Sequence, residues 1–219
     1  MNDTLIGKVI GWDGKEIILK APFESSYLME QQGYKEAEIR LIDGRSISGD
    51  QRKKAYALFR DISLFTGYDS DHIKGVMKDD FIAKKGWPEF SLSDVDMNTA
   101  REFIDHMVEF CLEWGVPCMD SLLDKAQDVS RYLYLCLYHK KCCICGKEAE
   151  VHHVDAVGMG RNRHTICHVG MKAMALCRAH HDEVQVTGQH TFDKLHHVYG
   201  IKLNELLVKH LNLGVLNTE

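Results

Sequence analysis

Residues 142–190 read CCICGKEAEVHHVDAVGMGRNRHTICHVGMKAMALCRAHHDEVQVTGQH, and this stretch decides what kind of module the C-terminal part of the chain forms. It opens with a Cys-x-x-Cys pair, Cys142 and Cys145, and a glycine that suits a tight turn follows directly. A second pair with the same spacing, Cys177 and His180, comes near its end. Two such pairs supply the four ligands of a tetrahedral structural zinc site, whose binding energy can replace a large hydrophobic core. The stretch therefore predicts a small module stabilised by Zn²⁺.

The rest of the cysteine pattern agrees with a metal site rather than disulfides. The first residues, MNDTLIGKVIGWDGK, lack the apolar segment of a secretion signal, and no apolar run approaches the ~20 residues that span a bilayer. We therefore expect a cytoplasmic protein without membrane contact, in which clustered cysteines beside histidines bind metal. Cys111, Cys118 and Cys136 fall on or beside apolar helical faces and are predicted core thiols.

Histidines between and after the two pairs predict a second, catalytic metal site. Residues 150–154 (EVHHV) read as a strand, on which the side chains of His152 and His153 diverge, and His181 begins a helical stretch. Hydrolysis of a phosphodiester needs one imidazole that activates water and others that hold a divalent ion. These histidines are the residue types that a one-metal nuclease requires.

The order of these motifs resembles the HNH endonucleases, in particular small phage HNH proteins with a zinc knuckle, over residues 142 to about 190. The resemblance implies a ββα-metal module that cleaves nucleic acid. It implies that His153 is the general base and that His152 and His181 bind a catalytic Mg²⁺ or Mn²⁺. Gln185 stands where the family often has a further histidine ligand, and His190 lies close by, so both are candidate helpers.

A second departure from the HNH pattern concerns the residue that orients the general base. The family asparagine would fall near Lys172, and His168 or Asn162 is the candidate replacement. Because the pattern is incomplete here, a module that binds DNA without cleaving it stays open as an alternative. Arg161 and Arg163, on the loop between the histidines, are candidate phosphate contacts, and an ordinary solvated loop is the alternative.

The N-terminal part predicts a small β region followed by helices, so the fold class is α+β. Short alternating runs separated by glycines predict the β structure, and helical spacing of apolar residues begins after Asp50. The predicted strands are Leu5–Ile10, Glu16–Lys20 and Ala37–Ile42. The first predicted helix begins near Asp50 and the second near Ile73. A third runs from Asn98 to Trp114 and a fourth from Asp120 to about His139, and one or two more are predicted from Phe192 onward. We expect an N-terminal domain over residues 1–130 and an HNH domain over residues 131–219.

A basic cluster precedes and opens the first helix. Ser48 or Asp50 can cap this helix, whose N-terminus favours an anion, although a solvated helix start is an equal alternative. The candidate phosphate contacts here are Arg45, Arg52, Lys53 and Lys54. The net charge of −5 counts mildly against a nucleic-acid binder, although basic charge can still be concentrated in local patches such as this one.

The stretch R-S-I-S-x-x-Q-R-K resembles the phage Orf (NinB) recombination-mediator family, loosely over residues 1–115. This resemblance implies a homodimer that binds single-stranded DNA. Together the two resemblances imply a metal-dependent DNA endonuclease of phage recombination or repair that acts on single-stranded or branched DNA. The rivals are a non-catalytic mediator with zinc as a structural staple, and a zinc-stapled protein-interaction module.

Overall fold

Eight helices and five strands occur in the part of the chain that the computed structural model describes, which is residues 7–22, 39, 44–155 and 166–215. The strands are β1 (Lys8–Trp12), β2 (Ile17–Lys20), β3 (Glu150–His153), β4 (Lys172–Leu176) and β5 (Ile201–Lys202). The helices are α1 (Gly49–Thr66), α2 (Ser70–Lys85), α3 (Met97–Trp114), α4 (Leu122–Lys125), α5 (Val129–Tyr138), α6 (Arg178–Thr187), α7 (Gln189–His196) and α8 (Glu205–His210). This mixture of helices and small sheets confirms the α+β class.

The first two predicted strands form an antiparallel hairpin. β1 pairs with β2 around a turn in which the Asp13 carboxylate accepts hydrogen bonds from the backbone N–H groups of Lys15 and Glu16. Gly14 takes a φ of +96° in this turn, a conformation that glycine adopts without a steric penalty. The third predicted strand, at residues 37–42, lies outside the described residues except for Ile39.

Helix α1 begins at a capping box. The Ser48 side chain accepts from the backbone N–H of Gln51, and the Gln51 side chain accepts from the backbone N–H of Ser48. The helix ends at Gly67, which is left-handed at φ +79°. Both limits were predicted, and of the two candidate caps the structure selects Ser48.

An aromatic cluster holds α1, α2 and α3 together. Phe103 on α3 lies at ring-centroid distances of 6.0 Å from Phe59, 5.4 Å from Phe81 and 5.3 Å from Phe90. Three of these rings are fully buried, so each removes a large apolar surface from water, and tilted or edge-to-face pairs add to that gain. The helical part thus has a substantial core that contains no metal ligand.

The single helix predicted from Asp120 to about His139 is wrong, because the chain breaks into α4 and α5. Ala126 is extended, with ψ of 140°. The Asp105 carboxylate accepts from the backbone N–H of Gln127, and Asp128 caps α5 by accepting from the N–H of Arg131. In a continuous helix, these backbone N–H groups would donate to carbonyls one turn earlier. Here side-chain carboxylates accept from them instead, so the break costs little.

Helix α5 joins the helical part to the C-terminal module. It packs against both α3 and β4, and the hydroxyl of Tyr132 donates to the backbone carbonyl of Cys143 at 3.1 Å. One cluster of buried apolar residues continues from Ile47 to Leu211. A division of the chain near residue 130 stays a prediction.

The C-terminal module is a three-stranded antiparallel sheet in the order β3-β4-β5, with α6, α7 and α8 around it. In β3, Val151 pairs with Ala175, His152 with Met174 and His153 with Ala173. Among the described residues, no helix is long and apolar enough to cross a membrane.

Candidate functional site

The two predicted ligand pairs meet at one point. Ligand atoms of Cys142, Cys145, Cys177 and His180 all lie within 4.8 Å of one another. The His180 Nδ1 atom is 3.1 Å from the Cys177 sulfur and 3.4 Å from the Cys142 sulfur, and the Cys145 and Cys177 sulfurs are 3.7 Å apart. Three soft sulfurs and one imidazole in such a group match the donor set of structural zinc. The group can therefore bind a metal such as Zn²⁺.

Local backbone geometry explains why each pair points to the same place. In the first pair, the Gly146 N–H donates to the Cys142 carbonyl at 2.8 Å, and Gly146 is left-handed at φ +69°. In the second pair, Cys177 is the N-cap of α6 and His180 lies in the first turn of that helix. A tight turn and a helix start therefore bring together residues that are distant in sequence.

Burial and backbone hydrogen bonds act in opposite directions on the thiols of this cluster. Burial raises the pKa of Cys142 to about 11. Burial also opposes ionisation of Cys177, but hydrogen bonds from the backbone N–H of His180 and from the Cys145 and Cys142 thiols outweigh it and lower the pKa of Cys177. A metal ion requires thiolates, so ion binding must release the Cys142 proton.

His152 and His181 also come together, although they belong to a strand and a helix. Their rings lie edge to face with centroids 4.9 Å apart. Burial lowers the pKa of His152, which keeps this imidazole neutral near pH 7, the form that can bind a metal ion. Two imidazoles this close could offer two ligand nitrogens to a second divalent ion.

Gln189, which no sequence motif singled out, contacts this second pair. Its Oε1 atom lies 2.9 Å from Nε2 of His152, and its Nε2 atom lies 2.7 Å from Oδ1 of Asp193. The predicted helper Gln185 instead contacts His181, at 3.3 Å from Nδ1, and is exposed. The other predicted helper, His190, is exposed as well. The sequence signal that could have pointed to Gln189 is its position directly after Gly188, where α7 begins.

His153, the next residue on β3, has a different partner from His152. Its Nε2 atom is 2.8 Å from Nδ1 of His168, whose side chain is 1% exposed. The two histidines border a cavity of about 380 Å³ that is also lined by Val151 and the segment 211–214. Of the two candidate replacements for the family asparagine, His168 is the one that the structure brings to His153; Asn162 lies outside the described residues.

Lys172, at the position of that asparagine, has a different role. It is exposed on β4, and its backbone N–H donates to the Asp155 carboxylate at 2.6 Å. This bond anchors the start of the long loop to the sheet. The Lys172 side chain is exposed, and the side chain in contact with the His153 ring is that of His168.

The basic residues predicted to contact phosphate are in different situations. The Arg52 guanidinium donates to the backbone carbonyls of Leu92 at 3.1 Å and Ser93 at 3.0 Å, so it holds that segment against α1. Lys54 pairs with Asp50 at 3.6 Å. Lys53 and Arg45 are exposed, whereas Arg161 and Arg163 lie outside the described residues.

Comparison with known proteins adds a family. No curated protein and no solved structure matches the chain significantly. One protein-family model, described as "Putative HNHc nuclease", matches residues 22–214. The match covers most of the 219 residues and includes both ligand pairs and the histidines His152, His153 and His181. The chain therefore belongs to the HNHc nuclease family.

Proposed function

We propose that this protein is a metal-dependent endonuclease that hydrolyses phosphodiester bonds in DNA. One observation carries the proposal: the rings of His152 on β3 and His181 on α6 lie edge to face. His181 directly follows His180 of the Cys₃His group. A purely structural zinc module has no use for a second pair of adjacent imidazoles. Membership of the HNHc nuclease family supports the same reaction.

The chain's residues divide into two metal-binding groups. Cys142, Cys145, Cys177 and His180 would hold Zn²⁺, and four protein ligands leave this ion no open position for substrate. His152 and His181 would hold Mg²⁺ or Mn²⁺. When bound, a divalent ion at this position supplies positive charge that stabilises the leaving oxygen of the phosphodiester.

His153 would act as the general base. Its imidazole accepts a proton from the attacking water, the new P–O bond forms, and the bond from phosphorus to the leaving oxygen breaks. His168 would orient the His153 ring through the 2.8 Å contact between their nitrogens. The adjacent cavity of about 380 Å³, which His153 and His168 both line, would give water access to the His153 imidazole.

The proposed substrate is single-stranded or branched DNA, and this part rests on the resemblance of residues 1–115 to the Orf (NinB) family. In this proposal the N-terminal part dimerises and brings the nuclease module to DNA during phage recombination or repair. Arg45, Lys53, Lys54, Arg161 and Arg163 would contact phosphates. Arg52 would contribute by holding the 92–93 segment beside them.

A cleavage assay with matched histidine variants tests the proposal. Purified protein is incubated with labelled single-stranded, branched and duplex DNA and with Mg²⁺ or Mn²⁺. We expect cleavage by the wild type and a loss of roughly 10²–10⁴-fold in His153→Ala, the contribution typical of a general base. His72→Ala is the control, because His72 is an exposed histidine on α2 and should leave the rate unchanged.

Two outcomes would contradict the proposal in different ways. Equal cleavage by the wild type and His153→Ala would end the assignment of the base. Salt-dependent DNA binding without cleavage under any metal would instead identify a non-catalytic mediator.

A further inference from the structure

A short chain of hydrogen bonds leads from the second metal pair into α7. Gln189 is the first residue of α7, and Asp193 lies one turn later on the same face. The Gln189 amide touches His152 on one side, at 2.9 Å, and Asp193 on the other, at 2.7 Å. All three side chains are half-buried.

Asp193 determines which way the Gln189 amide points. An ionised carboxylate has only acceptor oxygens, so the group 2.7 Å from it must be the NH₂ of Gln189. The reversed amide would set two oxygens against each other at that distance. The Met174 sulfur, 3.9 Å from the same NH₂, accepts weakly and favours the same orientation.

The amide orientation in turn determines the tautomer of His152. Because the amide presents its oxygen to His152, and that oxygen can only accept, the Nε2 atom of the imidazole must carry the hydrogen. A neutral imidazole has one N–H group, so its lone pair is then on Nδ1.

We propose that Gln189 and Asp193 are positioning residues that hold His152 in the Nε2–H tautomer and so present Nδ1 to the divalent ion. The identity of that ion as catalytic rests on the proposed function. A metal-binding histidine commonly donates its second N–H to an oxygen, and the partner sets ring orientation and basicity. Here a glutamine fills this position, held by a carboxylate on the same helix.

Gln185 provides the matched comparison. It is a glutamine on the neighbouring helix α6, it contacts His181 rather than His152, and it is exposed. We therefore expect Gln185→Leu to leave the His152 tautomer unchanged. The comparison is made on the tautomer alone, because Gln185 contacts His181, the other proposed ligand of the same ion. Gln189→Leu and Gln185→Leu therefore make the same chemical change at two positions, only one of which acts on His152.

The tautomer can be observed directly. The full chain, loaded with zinc and labelled with ¹⁵N-histidine, is studied by long-range ¹H–¹⁵N correlation in Mg²⁺ at neutral pH, and Mn²⁺ affinity is measured separately by electron paramagnetic resonance. For the wild type and Gln185→Leu we expect the Nε2–H tautomer at His152. For Gln189→Leu we expect mixed tautomers and a loss of Mn²⁺ affinity of roughly 10–100-fold, with zinc content retained.

A double substitution tests the direction of the hydrogen bonds. Gln189→Glu alone places two carboxylates 2.7 Å apart and should also weaken Mn²⁺ binding. In the double variant with Asp193→Asn, the amide at residue 193 donates to the new carboxylate at residue 189, which in turn accepts from His152. The double variant has the same net charge as the wild type. We expect the double variant to regain the Nε2–H tautomer and at least wild-type Mn²⁺ affinity.

An Nδ1–H tautomer at His152 in the wild type would overturn the proposal. So would a Gln189→Leu protein with unchanged tautomer and unchanged Mn²⁺ affinity. Neither readout uses DNA, so the expected spectra in a protein that cleaves no DNA would support the positioning role and contradict only the nuclease proposal.

Discussion

Adjacent cysteines allow a sharp test of the zinc site. Cys142 and Cys143 are both completely buried, yet only Cys142 belongs to the Cys₃His group. The Cys143 backbone joins the knuckle to β4, through its N–H to the carbonyl of Ala175 at 3.0 Å. Cys142→Ala and Cys143→Ala therefore each remove one buried sulfur. Only Cys142→Ala also removes a candidate metal ligand.

The two substitutions should differ greatly in cost. Cys143→Ala leaves a small cavity in a packed core and should cost roughly 1–2 kcal/mol. Cys142→Ala removes one ligand of an ion whose binding contributes on the order of 10 kcal/mol, which is comparable with the whole free energy of unfolding of a typical domain. We expect the module at 142–190 to lose its structure in this variant. The aromatic core of α1–α3, which contains no ligand, should stay folded.

Metal analysis and amide hydrogen exchange measure this difference. We expect one zinc ion per chain in the wild type and in Cys143→Ala, and little in Cys142→Ala. Amides of β3, β4 and α6 should lose protection in Cys142→Ala, whereas those of α1 and α3 should keep it. Stoichiometric zinc in Cys142→Ala, or loss of zinc from Cys143→Ala, would refute the assignment of ligands.

Three further predictions concern the helical part. Asp61→Asn removes the carboxylate charge 2.9 Å from the buried Lys125 ammonium, which keeps the Asp120 carboxylate at 3.7 Å, and should cost about 3 kcal/mol in urea unfolding. Asp50→Asn, at an exposed pair, should cost under about 0.5 kcal/mol. Burial opposes ionisation of Asp61, but Lys125 and Arg60 outweigh it and lower its pKa, so this stabilisation is present above the unfolded value of about 3.9 and is lost as pH falls through the folded value. Wild-type stability should therefore fall below about pH 4 by a component that Asp61→Asn lacks; identical acid profiles would contradict this. Ser48→Ala should lower the free energy of unfolding by about 1 kcal/mol, because the capping box is lost. Ser48→Asp should retain most of the stability of the wild type, because aspartate is also a good N-cap; thermal unfolding measures both effects.

Local patterns in the sequence were sufficient for strands β1, β2 and β3, for most helices and for the grouping of both ligand pairs, whereas strands β4 and β5 were not predicted. Helix starts and ends at Ser48, Gly67 and Gly115 depend on the conformational preferences of single residues, so they could be predicted without a tertiary structure. The break between α4 and α5 could not, because the acceptor that helps to satisfy it, Asp105, lies on another helix. Apolar spacing alone therefore predicted one continuous helix there.

The same distinction applies to the candidate site. The sequence by itself predicted which four residues form the group that can bind a metal such as Zn²⁺, because a Cys-x-x-Cys turn and a helix start each place two ligands within a few residues. It also determined that His152 and His153 diverge, because a strand has a period of two. Only the tertiary structure decided their partners. Gln189 reaches His152 and His168 reaches His153 through the packing of α7 and the 166–171 segment around β3, and contacts between distant segments leave no periodic trace in the sequence.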